Sequence, residues 1–169
     1  MTYTARLVLD ENYEMPESDI VVIGYRSSRY TLGTKNCREG EMEAVEASDA
    51  VWLPVYAYVH SGATISTKPY SCPWDSGQSG IAWISRRDAL QEWGNKVMTK
   101  KVREKAEAFI KGFIKEYDQA LQGDIYGYVI ESDGEEVGSL WGIFGREYAE
   151  KEMNAALSLM SRRKSGEAP

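Results

Sequence analysis

The chain has 169 residues, of which 43% are hydrophobic and 27% charged, with a formal net charge of −6. A chain of this length buries about two thirds of its unfolded surface on folding, so neither a disulfide framework nor a structural metal is required. The acidic excess argues against direct nucleic-acid binding, which needs cations to displace counterions, and favours a partner with a basic surface.

Residues 3–10 alternate, with Tyr3, Ala5, Leu7 and Leu9 on one face, and predict a half-buried strand. Residues 12–19 carry Pro16 and several carboxylates and read as a loop. Ile20-Val21-Val22-Ile23 is short, β-branched and continuous, which suits a strand covered on both faces. Arg26 and Arg29 lie in the polar connection that follows. Between Arg38 and Asp49, Met42, Val45 and Ala50 recur at helical spacing, while Glu39, Glu41, Glu43 and Glu46 make an acidic outer face. Such a cluster serves solubility, or imitates a run of phosphates toward a basic groove.

Val51–Val59 predicts a central strand, with Pro54 demanding an edge position or a bulge because it donates nothing to a ladder. Residues 80–84 are its expected partner. Ser85 with Asp88 three residues on marks a helix start, and Gly94 its end. Thr99 caps the longest helix, ending near Leu121, with Val102, Ala106, Phe109, Ile110, Phe113, Tyr117 and Leu121 on one stripe. Asp133-Gly134 between two apolar runs is a strong hairpin signal. A last helix is predicted from Arg146 to Met160, with Ala149, Met153, Ala156, Leu157 and Met160 inward. The expected fold is α+β: a mainly antiparallel sheet of about six strands with two longer helices packed on one face. Residues 1–161 form one domain in this reading, and residues 162–169 a disordered tail.

The stretch from His60 to Gly80 is read as a long loop between two buried strands, where proteins tend to place function. It holds the single histidine. His60, Cys72 and Asp75 are candidates for cysteine-dependent catalysis, because a thiol nucleophile needs a base and the base an orienting carboxylate. The other reading is an ordered binding platform. There Asp75, Ser76 and Gln78 knot the loop through backbone bonds and Trp74 anchors it to the core. Cys37 and Cys72 form no CxxC pair, and a single histidine is too few for a structural zinc site, so no metal and no cofactor are expected. No apolar run reaches the ~20 residues of a membrane-crossing helix. The opening residues lack a basic-then-apolar signal, so the expected compartment is a reducing cytoplasm.

Three segments carry a resemblance: His60-Ser61-Gly62 with Cys72-Pro73-Trp74-Asp75-Ser76-Gly77-Gln78-Ser79-Gly80; residues 116–128, from Glu116-Tyr117-Asp118 to Tyr126-Gly127-Tyr128; and Leu140-Trp141-Gly142-Ile143-Phe144-Gly145. In this order they resemble short bacteriophage- and prophage-encoded proteins of unassigned activity. The resemblance implies a small acidic protein working in a bacterial host cytoplasm. It also implies a binding protein acting on a host protein with a basic surface, in the manner of anti-CRISPR or anti-restriction inhibitors. The expected contact residues are Trp74, Asp75, Ser76, Gln78, Glu39, Glu41, Glu43 and Glu46. The alternative is an enzyme centred on His60, Cys72 and Asp75.

Overall fold

The computed structural model describes residues 2–94 and 96–165. In chain order its strands and helices are β1 (Tyr3–Leu9), β2 (Val21–Tyr25), β3 (Lys35–Asn36), α1 (Glu41–Glu46), β4 (Val51–Val59), β5 (Ala63–Ser66), β6 (Ser76–Ile84), α2 (Arg86–Trp93), α3 (Lys100–Leu121), β7 (Ile125–Ser132), β8 (Glu135–Phe144) and α4 (Arg146–Ser165). They are α+β and mostly antiparallel, as the hydrophobic patterning predicts. They form two compact units: a terminal one, Met1–Glu14 with Gly123–Pro169, and a central one, Met15–Gln122.

In the central unit the five strands run in the order β3-β2-β6-β4-β5, all antiparallel except the two-residue β2–β3 pair. The side chains of Val21, Ile23, Val55, Ile65, Ala82 and Ile84 pack with the apolar stripe of α3, chiefly Val102, Ala106, Ile110, Phe113 and Tyr117. Phe109, expected on that stripe, sits at its margin and meets the Trp93 ring at 5.5 Å. Thr99 accepts the Val102 amide at 3.2 Å and Ser85 the Asp88 amide at 3.1 Å, so both predicted caps form. Pro54 is accommodated in both of the ways available to it. β5 pairs only with Tyr56–Val59, which leaves 51–55 an open edge, and the β4–β6 register shifts at Val55/Tyr56.

In the terminal unit β1, β7 and β8 lie in that order, all antiparallel. Tyr3, Ala5, Leu7, Tyr128 and Ile130 face Ala149, Met153, Ala156, Leu157 and Met160 of α4. Asp133 (φ 54) and Gly134 (φ 86) make the tight two-residue hairpin with both central residues left-handed.

The single six-stranded sheet with both long helices on one face is thus replaced by two sheets, each with its own long helix. The cause is pairing: β1 joins β7 in full register from Tyr3↔Ser132 to Leu9↔Tyr126 rather than joining β2. Residues 1–161, expected as one domain, span both compact units. The last helix runs on to Ser165, past the predicted end at Met160. Arg162 and Arg163 give its last turns the cations that a helix C-terminus favours. The remainder of the expected tail, 166–169, lies outside the described residues.

Candidate functional site

The segment from His60 to Gly80 is not one long loop: β5 and the start of β6 occupy part of it. His60-Ser61-Gly62 is a three-residue connection between β4 and β5, with the His60 amide donating to the Gly62 carbonyl at 3.0 Å and Ser61 left-handed at φ 55. β6 already begins at Ser76, so the true loop is only residues 67–75. Polar, small residues at 76–80 hide the strand in the sequence. Pairing with β4 from Tyr58↔Ser76 onward supplies the order that propensity does not.

That loop is held by several independent contacts. The Ser76 hydroxyl donates to the Cys72 carbonyl, and the Val59 amide donates to the Asp75 carbonyl at 2.8 Å. His60 Nδ1 lies 3.4 Å from Asp75 Oδ2, with both side chains substantially exposed. The Tyr58 ring touches His60 on one side (6.3 Å between centroids) and Tyr70 on the other (5.9 Å). Tyr70 Oη reaches Thr64 Oγ1 at 3.4 Å, and the Thr64 hydroxyl donates to Asp118 Oδ1 on α3 at 2.6 Å. Burial raises the Tyr70 phenol above its ordinary range, reinforced by the Asp118 charge and opposed by the Thr64 contact. A continuous chain of contacts therefore runs from Asp118 on α3 to Asp75 at the loop.

Asp118 is the residue that the sequence reading passed over. Its Oδ1 also accepts the Ile65 amide at 2.9 Å, so β5 is pinned to the last turn of α3. A signal existed: a carboxylate near a helix C-terminus opposes the macrodipole, and such a placement calls for a compensating donor. Beside it, Gln122 donates to the Ala63 carbonyl at 2.7 Å.

The expected binding residues divide. Trp74, expected to anchor the loop in the core, instead projects outward with 90% of its surface exposed. Trp74 lies in the turn 73–75, which the Ser76–Cys72 bond closes. Asp75 and Ser76 knot the loop as expected, while Gln78 donates to the Gly80 carbonyl at 3.2 Å. Of the acidic set, Glu43 takes both oxygens to Arg26 Nη2 (3.0 and 2.8 Å), and Glu41 pairs with Lys35 at 3.2 Å and accepts the Arg38 amide at 2.6 Å. Hydrogen bonding from the Arg38 amide, then from Lys35, holds Glu41 below the usual carboxylate range. Its own backbone amide, then Arg26, does the same for Glu43. Glu39 and Glu46 are exposed and, among the described residues, make no ion pair.

For catalysis, the base and its orienting carboxylate meet, but the nucleophile does not join them. Among the described residues no hydrogen bond links His60 to Cys72, whose sulfur is half-buried. Cys37 is buried in the central unit, where desolvation and then Glu41 raise its thiol above the ordinary range. No group of three or more His, Cys, Asp or Glu side chains among the described residues could hold a metal ion, and no helix is long and apolar enough to cross a membrane. In comparisons with known proteins, no family model matches the chain, and no curated protein and no solved structure matches it either.

Proposed function

We propose that this is a phage- or prophage-derived binding protein that works by protein–protein contact, with inhibition of a host defence system as its most concrete form. The observation that carries the binding role is Trp74. An indole left 90% exposed contributes nothing to the core, yet its loop is fixed by backbone, ring and ion-pair contacts. A rigid, solvent-facing tryptophan is the kind of side chain that dominates interface energetics, because it buries a large area at little entropic cost. The phage context rests on the sequence resemblance alone, and the acidic character suits a basic host surface.

The experiment has two arms. The chain is expressed in bacteria carrying a CRISPR-Cas or a restriction system, and phage plating is scored; a rise that Trp74→Ala abolishes supports the reading. In parallel, tagged protein recovers partners from host lysate, as wild type, as Trp74→Ala, and with Glu39, Glu41, Glu43 and Glu46 reversed to lysine. Unchanged plating in every strain, together with identical recovery by Trp74→Ala, rules the reading out.

A hydrolytic second reading draws on the His60–Asp75 pair. It requires that Cys72 be alkylated by iodoacetamide faster in wild type than in His60→Ala; equal rates eliminate it.

A further inference from the structure

The net charge is not shared between the units. Counted over sequence, the central unit has fourteen acidic and fourteen basic residues, whereas the terminal unit has twelve acidic and six basic, so the whole −6 belongs to the terminal unit. The sheet of that same unit ends in a strand whose outer edge meets no further strand among the described residues. β8 closes the order β1-β7-β8, and its stretch Val137–Phe144 contains no charged residue and no proline, the usual devices that blunt a sheet edge. Two register shifts bend it, but Gly138, Ser139 and Leu140 between them pair regularly with Ile130, Val129 and Tyr128. Val137, Leu140 and Trp141 are 46%, 45% and 48% exposed along this edge.

Trp141 also lines, together with Val8 and Leu9 of β1 and with Asp10, Glu11 and Asn12 just after it, a groove of about 610 Å³. Its walls are fixed. The Trp141 indole lies against Gly127, where any β-carbon would overlap the ring. Asp10 accepts the Asn12 amide at 3.0 Å and the Gly142 amide at 3.1 Å, one on each carboxylate oxygen. An exposed aromatic face, an apolar Leu9 and two carboxylates within one groove match the needs of a lysine or arginine side chain. Its stem lies on the apolar surface while its head meets ring and carboxylate.

We propose that the β8 edge and the Trp141 groove dock an extended basic segment of a partner protein, which adds as a fourth strand and anchors a lysine or arginine in the groove. Main-chain bonds to an edge strand supply affinity in this mode, and pockets for alternate side chains supply selectivity. Charge selects the occupant: a second copy would bring its own −6 unit against this one, whereas a basic segment is attracted. This surface is distinct from the Trp74 loop, and it stands or falls separately.

The test uses the full chain and two acetylated octapeptides, one alternating lysine with valine and the other glutamate with valine, followed by calorimetry and amide NMR. The lysine peptide is expected to bind at least about tenfold more tightly at low salt. It should weaken as salt rises and shift the amides of Gly138–Leu140 and the Trp141 indole. Trp141→Ala should weaken it by about tenfold, as loss of an aromatic anchor does. Glu11→Lys, an exposed change that spares the fold, should also weaken it, and Trp74→Ala should leave it unaltered. Equal binding of the two peptides, or shifts confined to other residues, overturns the proposal, as does indifference to both Trp141→Ala and Glu11→Lys. So does a concentration-dependent dimer that Trp141→Ala abolishes, which would assign the edge to a second copy.

Discussion

Asp118→Ala is the most informative single change in the central unit. It removes a charged acceptor from the Thr64 hydroxyl (2.6 Å) and from the Ile65 amide (2.9 Å), and Ile65 is almost fully buried. Hydrogen bonds to charged groups contribute about 1.5–3 kcal/mol each, and the half-buried setting of Asp118 argues for the lower end, roughly 3 kcal/mol for the pair. Removing a carboxylate from the helix C-terminus returns about 0.5 kcal/mol. The net loss is therefore about 2.5 kcal/mol. With a urea slope of about 2 kcal/mol/M, the unfolding midpoint should fall by about 1 M. Asp118→Asn keeps an oxygen acceptor and loses only the charge, so it should cost about 1 kcal/mol. Urea titration followed by tryptophan fluorescence, in a Trp141→Phe background so that the remaining indoles all belong to the central unit, reads the unit. Amide exchange at Ile65 reads the clamp itself. A loss under about 0.5 kcal/mol for Asp118→Ala would refute the clamp, since surface changes away from specific partners stay within that range.

Trp74→Ala should leave stability within about 0.5 kcal/mol of wild type by the same titration, because an exposed ring has little to lose on truncation; a larger drop would mean that the ring packs in solution. Gly80→Ala places a β-carbon onto the Gly24 carbonyl across the β2–β6 pair, and backbone cannot yield as a side chain does. A loss above about 2 kcal/mol is expected, visible as a lowered melting temperature. Gly134→Ala, at φ 86 in the hairpin, should cost about 1 kcal/mol by the same measurement. Glu41 and Glu43 have folded-state values below the ordinary 4.5, so their contribution is complete above 4.5 and fades as pH falls through those lowered values. Carboxyl NMR titrations should give both midpoints below 4.5, and midpoints at or above it would count against the Arg38, Lys35 and Arg26 contacts.

Local order was legible in the sequence wherever a side-chain pattern announces itself. The Ser85 and Thr99 caps, the Asp133-Gly134 turn and the inner faces of β1, α3 and α4 are all set by period and by short-range bonding. The β4–β6 and β7–β8 partnerships were legible too, but the partner of β1 was not, because alternation in β1 is equally consistent with any neighbour of matching face. β5 was not legible, because Ala63–Ser66 is too short a run to announce a strand; the turn before it, with Ser61 left-handed, is set by its pairing with β4. Of the candidate site, the backbone knot of Asp75 and Ser76 was readable from residue type. The outward aim of Trp74 was not, because tryptophan is apolar enough to be assigned inward by composition alone. The meeting of His60 with Asp75 depends on the β4–β6 pairing, since the two residues flank the end of that ladder, where the Val59 amide donates to the Asp75 carbonyl.

The segregation of charge changes what the net value means for binding. At physiological ionic strength charges are screened beyond about 8 Å, so a −6 confined to the terminal unit does not act as a field of the whole molecule. The central unit, which balances its acids and bases, presents Trp74 from a neutral background, and two of its acidic residues are neutralised by Lys35 and Arg26. Contact through Trp74 should then rest on buried area and respond weakly to salt. Contact along β8 and the Trp141 groove should weaken steeply as salt rises, since its selectivity comes from carboxylates facing a cation. Salt dependence therefore separates the two surfaces before any partner is identified. A partner whose capture depends on Trp74 yet collapses with modest salt would show that acidic residues of the central unit share the contact.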